Sequence, residues 1–180
     1  ASNELVALIH GARQQALATG HDVWVMVFPR FVGPESTGRV VIYEDGTFSL
    51  SSAAATPNFA SYDPAKPASN PRSSVVEVFD LPRDVVIGPA TGAGTGAALA
   101  GPLAAIGIAV DCSFCGTLSD RRGGIRFDPR GRAFFYGDNG PPLANVVGGS
   151  VSLAAPEVNG QRTLLVTSGT GSVALHNQGG

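Results

Sequence analysis

The chain has 180 residues, enough for one domain whose core needs neither a metal ion nor several disulfides. Only 14% of the residues are charged, against roughly 25% in an average soluble domain, and the formal net charge is −2. This charge argues against a general nucleic-acid binder, and the 24 glycines and 13 prolines argue against a helical bundle or coiled coil.

An amphipathic helix is predicted at the start of the chain, ending near Thr19, where Gly20 supplies a stop. Ser2 or Asn3 is the expected N-terminal cap. Apolar residues recur along one face at three- and four-residue spacing: Leu5, Leu8, Ile9, Ala12 and Ala16. We expect this stripe to pack the helix on a sheet.

Strand-forming residues follow the helix. Residues 23–28 predict a strand that Pro29 ends. Residues 39–43 and 47–50 predict the two arms of a hairpin, because the Asp45-Gly46 pair between them favours a tight turn.

The middle of the chain alternates long loops with short strands. Residues 51–74 are rich in Ser, Ala, Pro and Asn and predict a loop long enough to be mobile or functional. Strands are expected at 75–81 and 84–87. A flexible Gly/Ala loop at 88–105 then leads into a buried strand at 106–110. Residues 85–110 carry no charge, but glycine and proline interrupt them too often for a membrane span, which needs about 20 apolar residues.

The last third has the most regular alternation. Five strands are predicted there: 124–127, 132–136, 150–154, 162–167 and 172–176. One helix followed by a run of strands indicates an α+β fold, with the N-terminal amphipathic helix packed on antiparallel β-sheet. We expect a single domain over residues 1–180, with a helix at 1–19 and a β-rich head at 20–180.

The only cysteines are Cys112 and Cys115, in a C-x-x-C spacing. A structural disulfide closing a small loop is the favoured interpretation, because Gly116 follows at once and the flanks resemble a loop rather than a helix start. Free thiols, and redox or metal chemistry, are the alternatives. A zinc site needs about four ligands, and no histidine lies at ligand spacing. A disulfide would indicate an oxidising compartment.

No catalytic motif is present, and no cofactor or metal ion is predicted. The glycines of the run 92–96 are spaced G-x-G-x-G, which is not the dinucleotide-binding spacing, and the single lysine, Lys66, is not in a phosphate-binding loop. Ser168 lacks the flanking glycines of a hydrolase nucleophile. The sequence therefore predicts a protein that is not an enzyme.

Five arginines crowd into twelve residues: Arg121, Arg122, Arg126, Arg130 and Arg132. The favoured interpretation is a solvated sheet face on which these arginines form cross-strand pairs with aspartates. The alternative is a patch that binds DNA or an acidic partner, since guanidinium groups suit phosphate recognition.

Three short motifs occur in order along the chain. Ala-Arg-x-x-Ala at 12–16 ends the helix before the strand at 23–28, Ile-x-Phe-x-Pro-x-Gly spans 125–131, and an Arg-x-Leu-x-Val run from Arg162 closes with Gly171. Together they resemble H-type minor pseudopilins and FimT-like minor pilins, the GspH/FimT family.

The resemblance implies a non-enzymatic subunit of a type IV pilus or a type II secretion pseudopilus, acting in fibre assembly or initiation. Its partners would be other pilins or pseudopilins and the assembly machinery. In that family an apolar helix precedes this domain, begins after a prepilin peptidase site, and anchors the protein in the bacterial inner membrane with its head in the periplasm. The chain would then be the soluble head.

The resemblance also bears on the arginines and the loops. A DNA-binding minor pilin for DNA uptake is the alternative function, using the cluster from Arg121 to Arg132. FimT-like proteins carry a basic stretch near the C-terminus, whereas this sequence has no cation after Arg162. The loops at 51–74 and 88–105 would face neighbouring subunits or cargo.

Overall fold

The computed structural model describes residues 1–34, 37–45, 62–69, 74–90, 99–108, 110–117, 120–138, 141–155 and 160–178. These residues form one helix, α1 (Ser2–Thr19), and a sheet of nine strands. The strands are β1 (Asp22–Val32), β2 (Thr37–Asp45), β3 (Ser74–Asp80), β4 (Val86–Ile87), β5 (Gly123–Phe127), β6 (Ala133–Tyr136), β7 (Gly148–Ala155), β8 (Gly160–Thr167) and β9 (Val173–Gln178). The predicted α+β class is confirmed.

The sequence predicted the C-terminal end of α1 correctly but not its N-terminal cap. Gly20 ends the helix as predicted: its φ of 71° is left-handed, and its N–H donates to the carbonyl of Ala16 at 3.1 Å. The predicted cap is wrong, because the helix already includes Ser2 and its first turn has no side-chain cap. The Ser2 hydroxyl instead accepts a hydrogen bond from Arg162, at 2.9 Å.

The apolar stripe of α1 lies against the sheet. Leu5, Ile9, Ala12 and Ala16 are buried in the main core, and Leu8 is partly buried against it. Because residues alternate across a strand, the same core receives Val23, Val25 and Val27 from β1 and their counterparts from the other strands. The face that meets α1 is called here the inner face of the sheet.

The strand order is β6-β5-β1-β2-β4-β7-β8-β9, and β3 pairs with β2 beside β4. All the ladders are antiparallel except the single parallel pair of Thr37 with Val86. The predicted hairpin partner of β2 at 47–50 lies outside the described residues. Within the described chain, β2 is flanked by β1 on one edge and by β3 and β4 on the other.

Pro29 does not end β1, contrary to the prediction. The strand runs on to Val32, and its register with β2 shifts between Phe28 and Val32. On the other edge, the pairing with β5 stops at Val27. A proline has no N–H to donate, so it is tolerated where the ladder is irregular on one side and absent on the other.

The predicted strand at 106–110 is also wrong for the residues described there. Ile106 and Ile108 are buried against Leu165, so the apolar run was correctly placed in a core. Yet Gly107 and Ile108 bind the sheet through their carbonyl oxygens, which accept from the side chains of Ser150 and Ser152. Side-chain donors thus replace a backbone ladder.

The outer face of the sheet, turned away from α1, has two differently built regions. The aromatic region consists of Trp24, Met26, Phe28, Val41, Tyr43, Tyr62 and Tyr136. The polar region consists of Ser150, Ser152, Gln161 and Thr163 on β7 and β8, all of them buried. Residues 62–69 pack on the first region, and residues 99–108 pack over the second.

Candidate functional site

The three sequence motifs meet at one place, where α1 contacts two turns. Arg13, in the Ala-Arg-x-x-Ala motif, donates from Nε to the carbonyl oxygen of Gly131 at 3.2 Å. Gly131 ends the second motif in the β5–β6 turn, and Gly171 ends the third in the β8–β9 turn. We call this contact of Arg13, Gly131 and Gly171 the junction.

Both glycines of the junction are required by geometry. Gly131 has a φ of 76° and Gly171 a φ of 61°, a conformation that side chains disfavour. A Cβ on Gly171 would collide with the Gly131 carbonyl, and one on Gly131 would lie 3.2 Å from Arg13 Nε. The helix and the two turns therefore approach as closely as the backbone allows.

Asp128 fixes the β5–β6 turn that presents Gly131. Its Oδ1 accepts from the backbone N–H of Arg130 at 3.0 Å and of Arg132 at 2.9 Å, and its Oδ2 pairs with the Arg132 guanidinium at 2.6 Å. Burial by itself would raise the pKa of Asp128, but the bonds from Arg132 and the backbone outweigh it, so the pKa lies below 3.8. The turn is held by an ionised carboxylate.

Four of the five clustered arginines pair with aspartates. The pairs are Arg121 with Asp111 at 2.9 Å, Arg122 with Asp120, Arg126 with Asp22 at 3.3 Å, and Arg132 with Asp128. Arg130 is exposed, and its side chain has no ion-pair partner among the described residues. The pairing with aspartates agrees with the favoured interpretation, but only the pair of Arg126 with Asp22 joins two strands, and the predicted solvated face is wrong for the buried Arg122. Binding of DNA stays a prediction.

Two of these arginines are built into the aromatic region. Arg122 is buried, donates to the carbonyl of Tyr62 at 2.6 Å, and lies 5.3 Å from the centre of the Phe28 ring. Burial lowers its pKa. Arg126 lies 4.5 Å from the centre of the Phe134 ring. These contacts bind the guanidinium groups of Arg122 and Arg126 to other residues of the same chain.

Cys112 and Cys115 form a disulfide, with their Cα atoms 5.4 Å apart. The sequence left open a structural disulfide, free thiols, and redox or metal chemistry. The structure contains the disulfide. Cys112 is fully buried and forms an isolated bridge with Val151 of β7. The disulfide thus closes a small loop at the edge of the polar region.

A further cluster escaped the sequence analysis because its members are distant in sequence. His21 Nδ1 lies 2.8 Å from Glu44 Oε1, and Gln15 Nε2 donates to Glu44 Oε2 at 2.6 Å. The hydrogen bond from His21 is the main reason that the pKa of Glu44 is lowered. The cluster ties the C-terminal end of α1 to the end of β2, and spacing alone gives no signal for it.

No group of three or more potential metal ligands occurs in the described part of the chain. In those same residues, α1 is the only α-helix, and it lacks the apolar length to cross a membrane. No protein-family model matches the chain, no curated protein matches its sequence, and no solved structure matches it. The junction is consequently the most specific feature from which to argue function.

Proposed function

We propose that this protein is a non-enzymatic structural subunit of a bacterial fibre, a minor pilin or pseudopilin that acts in fibre assembly or initiation. One observation carries the proposal. The three motifs that resemble the GspH/FimT family are far apart in sequence and nevertheless share one junction at Arg13, Gly131 and Gly171. A chance set of weak motifs has no reason to converge on one contact.

The free side of α1 supports the same role. Opposite its buried stripe the helix exposes small or uncharged residues, Asn3, Ala7, Gly11, Gln14 and Ala18, with one exposed charge, Glu4, at its N-terminal end. Beyond Glu4, such a face lets another helix approach closely without burying a charge. In the proposed fibre, α1 continues an apolar membrane anchor and packs among the helices of neighbouring subunits.

The first test concerns the gene. The codons preceding this sequence should encode a short basic leader, a prepilin peptidase site and about 20 apolar residues. A reading frame that lacks this apolar segment would reject the proposal.

The second test uses cysteine cross-linking of the full-length protein in the cells that make it. Gly11→Cys places a thiol on the free side of α1, where an added Cβ meets nothing within 4 Å. Gly169→Cys is the matched control, since it is equally open but lies in the β8–β9 turn. We expect cross-links from position 11 to other fibre subunits and far fewer from position 169. Equal cross-linking from both positions would contradict the proposed helix contact.

A further inference from the structure

The surface between α1 and β3 is a groove with a volume of about 520 Å³. Its walls are Ala7, Leu8 and Gly11 of the helix and Val76, Glu77 and Phe79 of the strand. Among the described residues that line it, the charged ones are both acidic, Glu4 and Glu77. No described residue fills this groove, which is therefore an apolar channel with an acidic rim.

The strand wall of the groove is open in a second respect. In the described part of the chain, β3 pairs only with β2, along 39–44, so the backbone groups on its other edge have no ladder partner there. Val76 and Val78 are 43% and 38% exposed. Natural edge strands are protected against further pairing by lysine, proline, bulges, inward-pointing charges or a covering segment. β3 has neither lysine nor proline, and its own protection consists of the register shift beside Val75 and the charge of Glu77.

The two charges of β3 behave differently. Asp80 is bound to Arg39, with Nε to Oδ1 at 2.6 Å and Nη2 to Oδ2 at 2.8 Å. Glu77 is exposed and has no ion-pair partner among the described residues. Glu4 is 68% exposed and pairs with the amino group of Ala1 at 2.7 Å. Glu77 is thus the charge at the groove best placed to meet a partner.

We propose that this groove binds an extended segment of another protein as an added strand on β3, and that this segment carries apolar residues and one lysine or arginine at the alternate positions that face the groove. The free edge of β3 supplies backbone donors and acceptors, which an extended chain matches and a helix does not. Alternate apolar side chains enter the groove between Leu8 and Phe79. A cation in the segment pairs with Glu77. Ala7 and Gly11 also belong to the free side of α1, so a segment bound here and a neighbouring helix in a fibre would exclude each other. The inference does not depend on the proposed role in a fibre and is tested on the chain outside one.

The test uses the folded chain and a fluorescent ten-residue peptide in which valine alternates with threonine and the central valine is replaced by lysine, so that the lysine and the valines share one face. We expect saturable binding by fluorescence anisotropy, and slower amide hydrogen exchange over 74–79 in the complex. The matching peptide with glutamate in place of that lysine should not bind. Glu77→Lys should weaken binding of the lysine peptide roughly tenfold, because it replaces attraction with repulsion. The control Asp84→Lys, which changes an exposed acid just beyond β3, should bind as the wild type does.

Three results would overturn the inference. In the first, the peptide binds but exchange over 74–79 is unchanged, so the edge of β3 is not used. In the second, Glu77→Lys and Asp84→Lys weaken binding equally, which indicates a general charge effect. In the third, the protein alone dimerises in sedimentation experiments with 74–79 protected, so a second copy occupies the edge. Failure of these tests leaves the upstream gene test of the fibre role untouched.

Discussion

The outer face of the sheet is closed in two ways that rely on opposite chemistry. Over the aromatic region, Tyr62 packs edge-on against Tyr43, with ring centres 5.5 Å apart, and the buried Arg122 holds the Tyr62 carbonyl. Over the polar region, neutral side chains hold residues 99–108. The first region depends on apolar area and a buried charge, whereas the second depends on hydrogen bonds between uncharged groups.

Gln161 is the centre of the polar region. Its Nε2 donates to the carbonyl of Ile108 at 2.7 Å, and its Oε1 accepts from the N–H of Ala90 at 3.1 Å. The same Nε2 lies 3.2 Å from the hydroxyls of Ser152 and Thr163. The side-chain amide of Gln161 therefore hydrogen-bonds to both ends of the stretch from Ala90 to Ile108. The outer face is thus closed at one end by guanidinium groups, those of Arg122 and Arg39, and at the other by neutral amide and hydroxyl donors.

The largest loss of stability should come from removing Arg122, the buried arginine of the aromatic region. Arg122→Ala removes the bond to Tyr62 and leaves a cavity beside Phe28, so we expect a loss of roughly 4 kcal/mol in the free energy of unfolding. Urea denaturation measures it. Arg130→Ala, an exposed arginine of the same cluster, is the control and should change stability by less than about 0.5 kcal/mol.

Arg122→Ala should also open residues 62–69 locally. Lys66 is the only lysine, and Pro67 after it hinders cleavage on its carboxyl side. A protease that cuts on the amino side of lysine therefore reports on this segment alone. Cleavage should accelerate in Arg122→Ala, since proteolysis follows the population of the open form. An unchanged rate would mean that Arg122 does not hold the segment.

The next largest effect should come from Gln161→Leu. The variant leaves the Ala90 N–H without its partner and removes the amide hydrogen bonds to the Ile108 carbonyl and to the hydroxyls of Ser152 and Thr163, and together these losses cost about 3 kcal/mol. Gln14→Leu, on the exposed side of α1, is the control. Cleavage at Lys66 should stay at the wild-type rate, and the double variant with Arg122→Ala should be additive within about 0.5 kcal/mol. Strong coupling would show that the two regions are one unit.

Reduction of the disulfide should act on the polar region only. The bridge from Cys112 to Cys115 closes a very short loop, for which the loss of chain entropy corresponds to about 2 kcal/mol. We expect a reducing agent to lower the stability by that amount and to speed hydrogen exchange over 110–117. Faster cleavage at Lys66 after reduction would contradict the separation of the regions.

The smallest effect should come from Asp128→Asn, which tests charge dependence outside both regions. It weakens the charge-assisted bonds of the β5–β6 turn, so we expect a loss of roughly 1.5 kcal/mol at pH 7. Asp128 has a lower pKa in the folded protein than its ordinary value of 3.8. The stabilisation is therefore complete above that value and is lost as the pH falls through the folded pKa.

The pH dependence also separates this turn from the polar region. The difference between the wild type and Asp128→Asn should shrink below about pH 4, because the wild-type carboxylate becomes protonated. The difference for Gln161→Leu should stay constant between pH 7 and pH 4, since an amide does not titrate. Thermal melts across this range measure both, with Asp84→Asn as the exposed control.

The sequence predicted the features that depend on local pattern. The stripe of α1 follows from apolar residues spaced three to four apart, and strands β7 and β8 follow from alternation of every second residue. The stop at Gly20 follows from the ability of glycine to adopt a left-handed conformation. The sequence failed where distant residues decide the outcome. Pro29 is accepted because β5 ends short of it, and residues 106–108 are not a strand because serine side chains reach their carbonyls.

The candidate site was predicted only in parts. Each of the three motifs was visible, but their meeting at Arg13, Gly131 and Gly171 is a property of the folded chain. The arginine cluster was visible too, yet nothing in its spacing distinguishes the buried Arg122 from the exposed Arg130. Burial depends on Tyr62, which lies 60 residues away.

The hydrogen bonds of Gln161 with Ala90 and with Ile108 make the stretch between these two residues a suitable place for an insertion. Both ends are anchored to the sheet, so lengthening the chain between them changes the stability mainly through the entropy of closing a loop, as long as Ile106 keeps its contact with Leu165. Doubling its length costs only about 0.6 kcal/mol. We therefore expect a peptide tag inserted between the two anchors, away from the buried Ile106, to leave the sheet beneath it folded.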